Sequence, residues 1–275
     1  MCVGATRLVA QLLPLHHYTT QDGLISNWII SVIQDSSGYL WVGTSDGMSV
    51  YDGAGFVNYT TEDGLSNSFI TVIKESRRHP RTIWIGTIQR GLTKYEGGKF
   101  KRIHVGATVY SNTITSLAED TSGTLWCGTP GGVFRVNEDT AREFLPKEIV
   151  HRTVHVAATG KGLIWIGTGR LARTYGTDGQ MAGSIELPLG TDEYVESMSV
   201  DREGDVWIGG TSGTLLVYRD ATLVGKRSLS SVIAGVLVDH QRFAWLTTGK
   251  GIQKIRKDTF PHGPAELYGE HRGLP

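Results

Sequence analysis

Residues 40–44 read LWVGT, and the same phrase returns as IWIGT at 83–87, LWCGT at 125–129, IWIGT at 164–168, VWIGG at 206–210 and AWLTT at 244–248. The tryptophans measure the repeat: Trp41, Trp84, Trp126, Trp165, Trp207 and Trp245 lie 43, 42, 39, 42 and 38 residues apart. A period near 40 residues suits four short strands with their turns. Trp28 alone falls outside this register.

Outward from Trp41, the first copy reads as one antiparallel sheet: WIISVIQD (28–35), turn SSG, YLWVGT (39–44), turn SDG, MSVYD (48–52), turn GAG, FVNYT (56–60). β-Branched and aromatic residues fill the strands, and glycine supplies the positive φ that hairpin turns demand. Helical periodicity is absent. Asp35, Asp120 and Asp201 each precede a glycine by three residues (DSSG, DTSG, DREG), where a short carboxylate accepts backbone N–H groups across the turn. They read as turn-formers, not as catalytic acids. Both faces of the second strand are apolar or small, as expected of a sheet sandwiched between two others, with the tryptophan packed between them. One such sheet cannot cover its own faces, so the copies must stack. A linear solenoid has shorter coils or helices in its repeat. Radial stacking around a channel therefore predicts an all-β fold, a β-propeller of four-stranded antiparallel blades with six blades encoded.

The ends of the repeat carry their own expectation. HHYTTQDGL (16–24) matches VNYTTEDGL (57–65), so residues 15–20 read as an outer strand that precedes the first complete sheet. AELYGEHRGLP (265–275) reaches the same stage, outer strand and loop. Six sheets leave one outer strand surplus, which a seventh blade would use if three more strands followed. The expectation is a propeller domain over 15–275 belonging to a seven-bladed ring, with uncovered faces that favour association into a homodimer.

Composition narrows the function classes. With 27 basic and 27 acidic residues, overall charge draws the chain to neither nucleic acid nor an anionic membrane. Hydrophobic residues at 39% suffice for a core, and 36 glycines against 8 prolines mark a turn-rich folded chain rather than a linker. No apolar run approaches the roughly 20 residues of a membrane helix. Residues 1–14 stand apart from the repeats, and MCVGATRLVA (1–10), with Arg7 and a weak apolar stretch, has the make-up of an export-signal remnant. Cys2 and Cys127 form no metal or redox spacing, and Cys127 stands in for an aliphatic residue in a buried strand.

The string DGL-SN, a hydrophobic strand, D-x-x-G, LW-[IV]-GT and a further glycine resembles the two-component regulator propeller repeat. The likeness is clearest over 22–52 and 63–95, recognisable over 111–136 and 200–218, and worn in the fourth and sixth copies. It implies the periplasmic sensor region of a bacterial membrane protein, whose partners are a small polar or carbohydrate ligand and the downstream sensor or output domains of the same protein. The chain has no histidine or nucleotide-binding segment matching a kinase, so no enzyme activity is carried over, and no cofactor is implied.

In a propeller, the loops entering each inner strand and those joining the second and third strands gather at one mouth of the channel. Residues there that differ between copies are candidates for recognition, because repeated ones serve the fold. The second set of loops offers Asp46, Gln89, Arg90, Arg170 and Lys250; the first offers Asn27, Trp28, Asn67, Tyr110, Asn112, Glu193 and Tyr194. Aromatic platforms with charged and amide groups suit a polar or sugar-like ligand. A metal is not expected: His151 and His155 share a strand face but sit on the order of 13 Å apart at about 3.3 Å per residue, and His16 and His17 point to opposite faces. No Ser-His-Asp order suggests a triad. Two rivals remain: streptogramin lyases, seven-bladed propellers with similar tryptophan-and-glycine blades, and a protein-interaction scaffold using the same mouth.

Overall fold

The computed structural model describes residues 16–146 and 153–269, and within them the chain forms six four-stranded antiparallel meanders, the blades of a β-propeller. Blade 1 is β1 (Ile29–Gln34), β2 (Leu40–Thr44), β3 (Met48–Tyr51) and β4 (Phe56–Tyr59). Blade 2 is β5 (Ile70–Glu75), β6 (Ile83–Thr87), β7 (Leu92–Glu96) and β8 (Lys99–Ile103). Blade 3 is β9 (Ser116–Glu119), β10 (Leu125–Thr129), β11 (Gly132–Asn137) and β12 (Thr140–Pro146). Blade 4 is β13 (Val154–Ala158), β14 (Leu163–Thr168), β15 (Leu171–Gly176) and β16 (Met181–Glu186). Blade 5 is β17 (Val195–Val200), β18 (Val206–Gly210), β19 (Thr214–Arg219) and β20 (Thr222–Ser228). Blade 6 is β21 (Ile233–Val238), β22 (Phe243–Thr248), β23 (Gly251–Arg256) and β24 (Ala265–Tyr268).

The tryptophans of blades 1–5 each pack their blade to the next. Five apolar clusters join blades 1–2, 2–3, 3–4, 4–5 and 5–6, typified by Trp126 of β10 against Val156 and Ile164 of blade 4. The glycine after the tryptophan has the same cause. A Cβ on Gly43 would lie 2.6 Å from Ile70 of blade 2, and one on Gly128 would lie 2.5 Å from the Val154 carbonyl of blade 4. Only a residue without a side chain lets the following inner strand come so near. Blade 6 reverses this ladder position. Gly235 sits on the inner strand and Thr247 on the second, where blades 1–5 put the glycine.

Among the described residues no apolar cluster joins blade 6 to blade 1. Val32 on β1 is 54% exposed and Leu237 on β21 is 62% exposed, whereas Ile73, the counterpart of Val32 in blade 2, is buried. The leading outer strand expected at 15–20 does not form: Leu15 lies outside the described residues, 16–19 are irregular and Thr20–Asp22 make a 3-10 turn. A strand needs a ladder partner, and none of the described strands offers one. Tyr18 nevertheless packs on Tyr51 and Phe56 of blade 1 as the outer-strand Tyr59 packs on Tyr95 and Phe100 of blade 2. Residues 1–14 and His151 lie outside the described residues.

The turn aspartates have a second role. In blade 1 one carboxylate oxygen of Asp35 accepts the N–H groups of Ser37 (2.9 Å) and Tyr39 (3.0 Å), closing the turn. The other accepts the indole Nε1–H of Trp41 at 2.8 Å. Asp120, Asp201 and Asp239 hold Trp126, Trp207 and Trp245 in the same way at 2.7, 2.9 and 2.7 Å. A buried indole N–H is thereby paired with a charged acceptor inside the blade. Inner-strand serines add hydrogen bonds between blades: Ser31 Oγ accepts the Ile73 N–H, Ser116 Oγ accepts the Val156 N–H, and Ser197 Oγ donates to the Ile233 carbonyl.

Candidate functional site

Loop residues singled out in the sequence lie together on one face, because loops entering the inner strands of blades 1, 3 and 5 are hydrogen-bonded to loops between second and third strands. Ser45 N–H donates to the Trp28 carbonyl, Gly91 N–H to the Asn112 carbonyl, Val195 N–H to the Gly169 carbonyl and Thr211 N–H to the Tyr194 carbonyl. Trp28 is 70% exposed, and Tyr110, Gln89, Arg90 and Asp46 are also exposed. Hydrogen bonds from Ser26 and Ser45 hold the Asp46 carboxyl below the usual carboxylate range.

Several of these residues are committed to the loops themselves. Glu193 is only 3% exposed, and its carboxylate accepts the N–H groups of Gly190, Ser212 and Thr214 and the Thr214 hydroxyl. Burial alone would raise its pKa, but these bonds outweigh it and hold the carboxyl below its ordinary value. Arg170 donates to the Thr191 and Leu189 carbonyls, Asn27 accepts the Thr20 N–H, and Lys250 donates to Ser230 Oγ. Asn112 bonds Val105, Gly106 and Thr108, and Asn67 bonds Ile88 and Phe69.

None of these residues lines the deeper clefts, which open beside the D-x-x-G turns and the turns between third and fourth strands. The larger, about 610 Å³, lies between blades 1 and 2. Its wall is aromatic: Tyr39, Trp41, Tyr59 and Tyr95, with the Trp41 and Tyr95 rings 5.0 Å apart and edge-on. Burial raises the Tyr59 hydroxyl above its ordinary pKa. Asp52 and Arg81 supply charge at the cleft, Asp52 also accepting the Ala54 and Gly55 N–H groups that set its turn. Flat apolar walls with a few charged groups can stack a ring-shaped polar molecule and fix its orientation.

The inner strands enclose a smaller space of about 130 Å³ near the axis, lined by Lys74, Arg77 and Glu119 among others. Burial pulls the Lys74 ammonium down to about 8. Glu119 accepts the Ser76 hydroxyl and the Arg77 N–H. Bulges interrupt β1, β5, β17 and β21 one residue in from the mouth. The bulged residue of β17, Glu196, has its carboxyl raised by burial. Among the described residues no three His, Cys, Asp or Glu side chains are grouped to hold a metal ion, and no helix is long and apolar enough to cross a membrane. Cys127 is buried and desolvation pushes its thiol up, in keeping with a structural residue.

Residues 23–46 and 111–131 match the family described as the two component regulator propeller. Among solved structures, the chain is similar to the extracellular domain of a protein of B. thetaiotaomicron described as a hybrid two component system, with a TM-score of 0.72 and 20% identity over 94% of this chain and 37% of that one. It is similar to PorZ, a bacterial surface component of the type-IX secretion system of Porphyromonas gingivalis, with a TM-score of 0.66 and 17% identity over 90% of this chain and 42% of that one. It is also similar to virginiamycin B lyase from Staphylococcus aureus, with a TM-score of 0.73 and 9% identity over 88% of this chain and 84% of that one. The chain thus spans 37% of the length of the extracellular domain it resembles. No curated protein matches it.

Proposed function

We propose that this chain is the ligand-sensing propeller of a bacterial two-component signalling protein, acting outside the cytoplasm and passing its state to output domains of the same protein. The match of blades 1 and 3 to the two component regulator propeller carries this reading. Within the propeller, the cleft between blades 1 and 2 fits a small polar or glycan ligand, with Tyr39 and Tyr59 stacking on the ring and Arg81 and Asp52 engaging its polar edge. Calorimetric titration with mono- and disaccharides should give saturable binding without turnover, weakened at least tenfold in Tyr39→Ala and Arg81→Ala and unchanged in Lys250→Ala. Binding that follows Trp28→Ala or Arg90→Ala instead would move the site to the loop face.

A catalytic reading has one observation behind it, the TM-score of 0.73 to virginiamycin B lyase. Steady product formation from a streptogramin B substrate would replace the sensor with a lyase.

A further inference from the structure

Blades 1, 3, 5 and 6 pair a turn aspartate with the blade's tryptophan; blade 4 has Thr159 in that place, and blade 2 departs further. The loop from β5 to β6 is two residues longer than its counterpart in blade 1, and Ser76 takes the place of Asp35: Ser76 N–H closes on the Thr82 carbonyl as Asp35 N–H closes on the Tyr39 carbonyl. Ser76 Oγ is occupied elsewhere, donating to Glu119 at 2.8 Å and accepting the His79 N–H at 3.0 Å. The Trp84 Nε1–H is left without a hydrogen-bond partner, although Trp84 is only 7% exposed. A buried donor in that state has lost its water without gaining a partner.

Trp84 and Ser76 both line a cavity of about 390 Å³ between blades 2 and 3. Most charged groups around it are already paired. Glu96 accepts from Thr82 and pairs with Lys94 at 2.9 Å, and Arg78 donates to the Ser122 carbonyl. Asp139 on the facing turn accepts from Lys101 through Oδ2, but its buried Oδ1 has no partner. One cavity thus presents an unmatched donor from blade 2 and an unmatched acceptor from blade 3. A carboxylate or phosphate could take the first but would face Asp139, Glu138, Glu96 and Glu119 with no unpaired donor to offer the second. A hydroxyl both accepts and donates.

We propose that the cavity between blades 2 and 3 is a binding site for a neutral polyol, whose hydroxyl groups accept from Trp84 Nε1 and donate to Asp139 Oδ1. The site stands apart from the cleft between blades 1 and 2 and does not depend on the sensor role. It is tested on the whole ¹⁵N-labelled chain by following the indole N–H resonances, that of Trp84 assigned with Trp84→Phe. Titration with D-glucose and with sorbitol should move the Trp84 resonance saturably while that of Trp126 stays in place. Asp139→Ala should weaken the response at least tenfold. Trp84→Phe, read at the backbone amide of Asp139, should abolish binding. No saturable shift with either polyol, a shift with sodium acetate alone, or a full response in Trp84→Phe or Asp139→Ala would each overturn the proposal.

Discussion

The clefts on either side of blade 2 occupy the same place in the repeat and have opposite chemistry. Between blades 1 and 2, Asp35 takes up the indole N–H of Trp41, and three tyrosines and two valines make up much of the remaining wall, with Asp52 and Arg81 beside them. Between blades 2 and 3, Ser76 stands in for the aspartate, the Trp84 N–H is unpaired, and the wall is built from Lys94, Glu96 and other charged residues, with the Lys94 ammonium 5.7 Å from the centre of the Trp84 ring. The strands keep their register while a longer turn, with serine in place of aspartate, decides whether the tryptophan is finished internally or left with a hydrogen bond to make. A repeat fold can thus tune one seam without disturbing the others.

The comparison is sharpened first by removing a tryptophan whose N–H is fully paired. Trp126→Ala should cost roughly 3–5 kcal/mol in chemical denaturation, the range for truncating a large buried aromatic. A loss under about 1 kcal/mol would mean that the indoles do not hold the blades together. Next comes another buried polar atom left without a partner, Nε2 of His155, which takes the ladder place that Ser31, Ser116 and Ser197 use for hydrogen bonds between blades. Burial lowers its pKa to about 4, so the unfolded chain takes up the proton first. Stability should be independent of this group above about pH 6.5, fall progressively between about 6.5 and 4 by on the order of 3 kcal/mol, and level off below 4. Equal acid slopes for the parent and His155→Ser, measured by urea titration across that window, would refute the assignment.

The smallest effect addresses the aspartate itself. Asp35→Ala strands a buried N–H and should cost about 1–3 kcal/mol, read by thermal unfolding. A loss under about 0.5 kcal/mol would break the comparison.

The fold was legible because its cause is periodic. The tryptophans, the turn glycines and the apolar second strands each recur at the interval a four-stranded blade requires, and five of the six copies carry the glycine that a following strand presses against. The second task of the turn aspartates was not legible. It joins residues six apart through the side of a blade, and a turn role already accounted for their presence. The clefts were not read from the sequence. Searching the non-repeated loop residues pointed to the face that carries Trp28 and Arg90, while both deep clefts are assembled from repeated positions of two blades. Glu193 looked like a ligand contact because polarity in a loop says nothing of whether the loop has already used it. One signal was available: ESRRHPRT (75–82) is the stretch where the D-x-x-G turn is replaced by a longer, basic one.

Among the described residues, five apolar seams join the six blades in sequence, as units in a row. In such an array the free energy is close to a sum of unit and nearest-neighbour contributions, so a terminal unit is restrained by one seam where an internal unit has two. Blades 1 and 6 should therefore open before the middle, and amide exchange should slow from both ends towards blades 3 and 4 instead of collapsing in one concerted event. Thr247, carried where the other blades hold a glycine, would keep any sheet approaching that end from seating as closely as the internal blades do.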